Sequence, residues 1–253
     1  MHKEYLEQAL IKMQDDLFEV IKTGRWKNTS YQNGQAAKTA YIRGGAFINP
    51  INNVLKKSFK EIDNNLEFKP ANDDTAGEEV IEGYMKRKKQ DLTIRIKSNK
   101  DSKDYPLIIN NRTQMSKISA NWDTIFERAY AEALNLRSPT NYITGEVFLL
   151  PYYEMDYKKC EENIIEYKTK PINLDWFFSH YTKVNLREDT STEGINFLKY
   201  DKLCILIVDF RETPAKIVTD FEDNNLNQRY KEFSYEGFCE YLLNKYKNKI
   251  NAG

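Results

Sequence analysis

The chain has 253 residues, 38 basic against 38 acidic side chains, a formal net charge of zero, and 40% apolar residues. This is a globular composition with enough length to bury a core without disulfides or structural metal. The balanced charge excludes a protein that coats polyanions over its whole surface, although a local basic patch stays open. Three scattered cysteines (Cys160, Cys204, Cys239) and two histidines (His2, His180) offer no zinc-ligand spacing. An odd set of thiols, a charged N-terminus (MHKEYLEQALIKMQDD) and no apolar run near the ~18 residues of a membrane span predict a soluble, cytoplasmic protein without a membrane partner.

Residues 3 to 22 place Leu6, Leu10, Met13, Leu17, Val20 and Ile21 at helical spacing, with Gly24 as a stop. The segment 24 to 50 reads as a polar loop in which Arg25, Lys27, Lys38 and Arg43 alternate with Trp26, Tyr31, Tyr41 and Phe47. Such interleaving suits either a nucleic-acid clamp or aromatic plugs in the core. Pro50 opens a second helix with Ile51, Val54, Leu55 and Phe59 on one face. Asn64 to Asp74 reads as a loop, and Glu78 to Met85 as a short helix.

Asp91 to Lys97 (DLTIRIK) alternates at period two and predicts a half-exposed strand. SNKDSKD reads as a linker, Tyr105 to Asn111 as a buried strand, and Arg112 to Lys117 as a polar turn. A helix from Ser119 to Leu136 follows, with Arg137-Ser138-Pro139 ending it. GEVFLLPYY is a third strand, 154 to 170 a charged stretch, and Leu174 to Val184 a helix. LCILIVDF should lie mid-sheet, Ala215 to Thr219 beside it, and the last helix covers Tyr235 to Ile250. The whole predicts one α/β domain with a mixed sheet, its core at roughly 75–220, with an N-terminal helical segment (1–74) and the helix 235–250 packed on it.

The stretch 86 to 155 concentrates the chemistry. Asp91 opens a strand directly after Lys86, Arg87, Lys88, Lys89 and Gln90. A strand-borne carboxylate beside cations suits a divalent metal with a phosphate, because the acid holds the ion while the basic groups neutralise substrate. It also suits a plain charge-balanced strand start. Gln114 and Lys117 are placed to position water and phosphate, and Arg112 to meet a phosphate or a base edge. For a second acid, chain spacing favours Glu127 and the helical wheel favours Glu132, so both are carried; Glu82 and Glu146 are further acids. Glu166-Tyr167-Lys168 spells ExK without an aspartate-bearing strand before it.

Read together, GYMKRKKQD, INNRTQMSKISANWDTIFERAYAEALNLR, GEVFLLPYYEMD and LCILIVDF resemble type II restriction endonucleases of the PD-(D/E)xK nuclease class, over roughly residues 80 to 210. The resemblance implies a restriction-endonuclease-like core and Mg²⁺-dependent, sequence-specific cleavage of double-stranded DNA, with Mn²⁺ as a substitute ion. It also implies a homodimer and a cognate DNA methyltransferase as functional partner. Asp91 would stand for the motif's first aspartate, Gln114 for its lysine, and Glu127 or Glu132 for its second acid, with Asp91, Glu127 and Glu132 holding metal. Arg112, Lys86, Arg87, Lys88 and Arg43 would contact DNA. The (D/E)xK spelling itself is missing. The rival expectation is a DNA-binding or interaction module without catalysis, indifferent to metal.

Overall fold

A computed structural model describes residues 2–71, 77–99, 103, 105–137, 142–187 and 199–252. Helix α1 (His2–Thr23) leads into a small hairpin, β1 (Arg25–Trp26) and β2 (Thr29–Ser30). Gly24 makes the turn between them at φ +62°, a left-handed conformation that glycine adopts without a Cβ penalty. Two helices follow, α2 (Gly34–Arg43) and α3 (Asn49–Ile62). The N-cap Asn33 side chain accepts from the Ala36 amide, and Pro50 sits in the first turn of α3, where its missing N–H costs nothing.

Strands β3 (Leu66–Lys69), β4 (Glu79–Ile81), β5 (Lys88–Gln90), β6 (Leu92–Ile96) and β7 (Leu107–Thr113) come next. They are followed by α4 (Trp122–Arg137), β8 (Thr144–Pro151), α5 (Tyr157–Glu161), α6 (Leu174–Tyr181), β9 (Lys202–Asp209), β10 (Lys216–Ile217), α7 (Asn224–Tyr230) and α8 (Phe238–Ala252). Six strands form one mixed sheet in the order β10-β9-β8-β7-β6-β3. The β7/β8 and β8/β9 pairs are parallel, and the remaining three are antiparallel.

The two faces of the sheet bury different helices. Leu92, Ile94, Leu107, Ile109, Val147, Leu149 and Leu206 pack against α1, α2, α3 and α8 through residues such as Met13, Tyr41, Phe59 and Leu242. Phe148, Leu150, Leu203, Ile205 and Ile207 pack against α4, α6 and α7 through Ala129, Ala133, Phe177, Phe178 and Tyr230. Central strands covered on both sides read as continuous apolar runs, and every residue of β8 is buried. Among the described residues no helix is long and apolar enough to cross a membrane.

One ion cluster ties the far end of the sheet. Asp201, fully buried just ahead of β9, accepts from the Thr144 amide at 2.7 Å and pairs with Arg187 at 2.9 Å and with Lys245 of α8 at 3.0 Å. The same cluster receives further support from Arg187 donating to the Tyr142 carbonyl at 2.8 Å.

Several sequence expectations change. Segment 24 to 50 is not a loop, since it holds the β1–β2 hairpin and α2. Glu78 to Met85 is no helix: β4 pairs with β5, Val80 opposite Lys89. Leu66–Lys69 is an edge strand of the sheet, alternately buried and exposed. Arg112 belongs to β7 and not to a turn, and a 3-10 turn over Ser119–Asn121 precedes α4. α5 and α7 add helices where none was expected. The Ser138-Pro139 stop and most of the Ser98–Asp104 linker lie outside the described residues.

Candidate active site

The antiparallel β6/β7 pair sets the site's floor. Its register aligns Leu92 with Ile109, which brings Asp91, one residue earlier, across from Asn110. The Asn111 amide donates to Asp91 Oδ2 at 2.7 Å, and the Asp91 amide donates to Asn110 Oδ1 at 3.3 Å. Asn110 in turn donates from Nδ2 to Gln90 Oε1 at 3.0 Å. Asn111 faces the other side of the sheet and bonds Asn52 of α3. The Asn111 backbone thus holds the Asp91 carboxylate, while the Asn110 side chain holds the Asp91 backbone.

Alternation along the strands places Asn110 and Arg112 of β7, and Glu146 of β8, on the face covered by α4. Arg112 Nε donates to Glu146 Oε2 at 2.6 Å, and its Nη2 pairs with Glu132 of α4. Glu132 also pairs with Lys88 and accepts from Asn110 Nδ2 at 3.3 Å. Glu146 is wholly buried and receives a second hydrogen bond, from the Tyr200 hydroxyl at 2.9 Å. The result is a chain of charges running Lys88, Glu132, Arg112, Glu146, with Asp91 beside it.

Burial sets the electrostatics. Desolvation pushes the Asp91 carboxyl up to about 6, opposed by the Asn111 N–H and reinforced by the negative charge of Glu132. Desolvation likewise raises Glu146, against the pull of Arg112. Arg112 is held firmly protonated, because Glu146, Tyr200 and Glu132 together outweigh the cost of burying it. Tyr200→Phe removes one hydrogen bond to a buried carboxylate and is expected to cost about 1.5–3 kcal/mol. Urea unfolding measures this, and an unchanged midpoint would show that the Tyr200–Glu146 bond contributes nothing.

Asp91 and Glu132 open on a cleft of about 590 Å³ also lined by Arg43, Met85, Lys86, Lys88, Asn110, Arg112, Arg128 and Asn135. Five cationic side chains and two carboxylates therefore face one space. A second hollow meets it at Asp91 and Arg112 and adds Gln114, Thr113 and Ile48.

Of the sequence-derived site residues, Asp91, Glu132, Arg112, Lys86, Lys88 and Arg43 meet at the cleft. Gln114 lies beyond the end of β7 and turns its amide onto the Ser116 carbonyl at 2.5 Å. It is Asn110 that stands opposite Asp91 in the register, with Asn111 and Arg112 next along β7, so Gln114, four residues beyond Asn110, is not the group across the strand pair. Glu127 is exposed on α4 and lines neither hollow. It precedes Glu132 by five residues, which on a helix turns it to a different face. Lys117 is exposed with its ammonium 3.5 Å from the centre of the Tyr157 ring, and Arg87 pairs with Glu82 at 3.0 Å outside the cleft. Sequence reasoning missed Asn110, Asn111, Arg128 and Asn135. The signal for the first two was there: polar residues at buried positions of a strand one register step from Asp91.

A divalent ion of the magnesium type takes oxygen ligands, commonly one or two carboxylates with the rest supplied by substrate phosphate and water. Asp91 and Glu132 fit that donor set. No group of three or more His, Cys, Asp or Glu residues suited to a metal occurs among the described residues, so phosphate and water would have to complete the coordination. Comparison of the chain with protein-family models, with curated proteins and with solved structures finds no match.

Proposed function

We propose that the protein is a Mg²⁺-dependent endonuclease acting on double-stranded DNA, with a restriction-endonuclease-like core and a homodimeric working form. The observation that carries this reading is the convergence of Asp91, just ahead of β6, and Glu132, from α4, on a cleft whose cationic lining is Arg43, Lys86, Lys88, Arg112 and Arg128. Two carboxylates among five cations suit an ion and a phosphodiester bound together. Asp91 and Glu132 would hold Mg²⁺, which when bound supplies an activated water and neutralises charge at the scissile phosphate.

The chain's own residues account for the rest. Asn111 and Asn110 orient Asp91 from the backbone side. Arg112 presents a rigid, permanently charged guanidinium beside the carboxylates, suited to a phosphate oxygen. Lys88, in partial contact with solvent, neutralises Glu132 until phosphate draws it away. Asp91 must be ionised to act as a ligand. With its carboxyl at about 6, Mg²⁺ affinity should be about tenfold weaker at pH 5 than near pH 7.5, as calorimetric titration would report.

The test of the activity is incubation with unmethylated phage DNA in Mg²⁺ and in EDTA. Discrete fragments that require Mg²⁺ are the expected result. A second reading, a DNA-binding module without catalysis, is favoured by one feature: Glu132 is occupied by both Lys88 and Arg112. Intact DNA in every condition, together with a salt-sensitive mobility shift, would establish that second reading in place of the first.

A further inference from the structure

The β4–β5 hairpin carries the two most exposed large apolar side chains among the described residues, Tyr84 at 66% and Met85 at 64%. They sit side by side at its tip, ahead of Lys86, Arg87, Lys88 and Lys89. The backbone around them is tied down by hydrogen bonds. Buried Asn135 of α4 grips the tip through its own backbone and side chain: its carbonyl accepts from the Tyr84 amide at 2.7 Å, and its Oδ1 from the Met85 amide at 2.8 Å and the Lys86 amide at 3.0 Å. Its Nδ2 donates back to the Lys86 carbonyl at 3.1 Å. Gly83 permits this approach, since a Cβ there would lie 2.3 Å from Asn135 Nδ2.

The other end of the hairpin is fixed as well. Glu79 accepts from Arg95 Nη2 at 2.7 Å and from Thr93 Oγ1 at 2.7 Å, both on β6. Gln90, at the end of β5, is held by Asn110. Hydrogen bonds thus hold the tip in place while its two apolar side chains stay in water. Fixing an exposed apolar pair in advance gains the fold little and lowers the ordering cost of binding a partner. The partner's charge follows from the neighbours: four consecutive cations, with Met85 and Lys86 lining the Asp91 cleft itself.

We infer that Tyr84 and Met85 pack against the base pairs of a DNA duplex next to the phosphodiester held at Asp91, while the cations behind them follow the phosphates. This inference rests on the nuclease reading for the identity of the polyanion. Tyrosine stacks on base faces, and methionine is among the apolar side chains inserted between base steps. Neither contact depends on salt, whereas the phosphate contacts do.

The test compares the full-length protein with Tyr84→Ala/Met85→Ala and with Tyr84→Phe/Met85→Leu. Binding to sheared, unmethylated phage DNA is measured by filter retention in Ca²⁺ over a range of salt, and cleavage of the same DNA in Mg²⁺. The alanine pair should bind about tenfold to a hundredfold more weakly, with an unchanged slope against salt and an unchanged melting temperature. The Phe/Leu pair should bind like the wild type. Wild-type affinity in the alanine pair, with cutting retained, would overturn the role of the tip and leave the nuclease reading standing. A loss of self-association with DNA binding intact would also overturn it, by making the tip a protein contact. Failure of the unaltered protein to bind or cut this DNA would overturn both.

Discussion

Asp91→Asn is expected to abolish Mg²⁺-dependent DNA cleavage and, at neutral pH, to make the protein more stable. The two effects share one cause. Desolvation raises the Asp91 carboxyl from 3.8 to about 6, so the folded protein holds this proton more tightly than the unfolded chain does. The sign follows from that difference. Below about pH 4 both states are protonated and the residue costs nothing. Between about 4 and 6 the unfolded chain ionises first, and stability falls as pH rises; above 6 the full cost is present. About two pKa units correspond to about 3 kcal/mol. Asparagine keeps an oxygen for the Asn111 amide and carries no charge, so it removes most of that cost. Denaturant unfolding of both proteins at about pH 3 and pH 7 should show convergence at the lower value and a gap of about 2–3 kcal/mol at the higher. Cleavage should fall by at least about a thousandfold, the scale of losing a group that stabilises transition-state charge. Unaltered cutting would remove Asp91 from the site, and a variant less stable at pH 7 would show that the carboxylate is stabilised where it stands.

Asp201→Ala acts in the opposite direction, with no bearing on chemistry. The carboxylate joins the start of β8, the segment entering β9, and α8, and it neutralises Arg187, whose side chain is only 2% exposed. Removing one member of a buried ion pair leaves its partner charged and dry, at a cost of about 3–5 kcal/mol. The Thr144 amide loses its acceptor in the same substitution. Thermal unfolding should show a larger fall than Tyr200→Phe produces, while Mg²⁺ affinity of the folded protein stays unchanged. A loss under about 1 kcal/mol would mean that water replaces the carboxylate at this end of the sheet.

Elements with several turns or several strand periods were legible in the sequence. α1, α3 and α4 repeat their apolar positions over three turns or more, and β8 and β9 each hold an unbroken apolar run (Val147–Leu150 and Leu203–Val208), so pattern alone located them. β3, β4 and β5 were not, since strands of three or four residues display barely two periods and depend on partners distant in the chain. Residues 78 to 85 contain good helix formers, and local propensity pointed to a helix; pairing of Glu79–Ile81 with Lys88–Gln90 and the grip of Asn135 on Gly83 prevailed. The candidate site shows the same division. Strand position singles out Asp91; for the acid on α4 the wheel favours Glu132 and chain spacing Glu127, and of these two Glu132 lines the cleft. Gln114 follows from the spelling of a motif along the chain, whereas the β6/β7 register decides what faces Asp91.

Glu132 and Asn135 lie on the same helix, three residues apart, about 4.5 Å along its axis. One helps form the cleft and the other grips the hairpin tip, so α4 works as a spacer of fixed length between the Glu132 carboxylate and the tip. Any slide or roll of this helix shifts both ends together and preserves the distance between them. A change in Tyr84 would alter what the tip meets without touching the cleft that Met85 helps to line, whereas a side chain larger than glycine at 83 would press directly on the spacer.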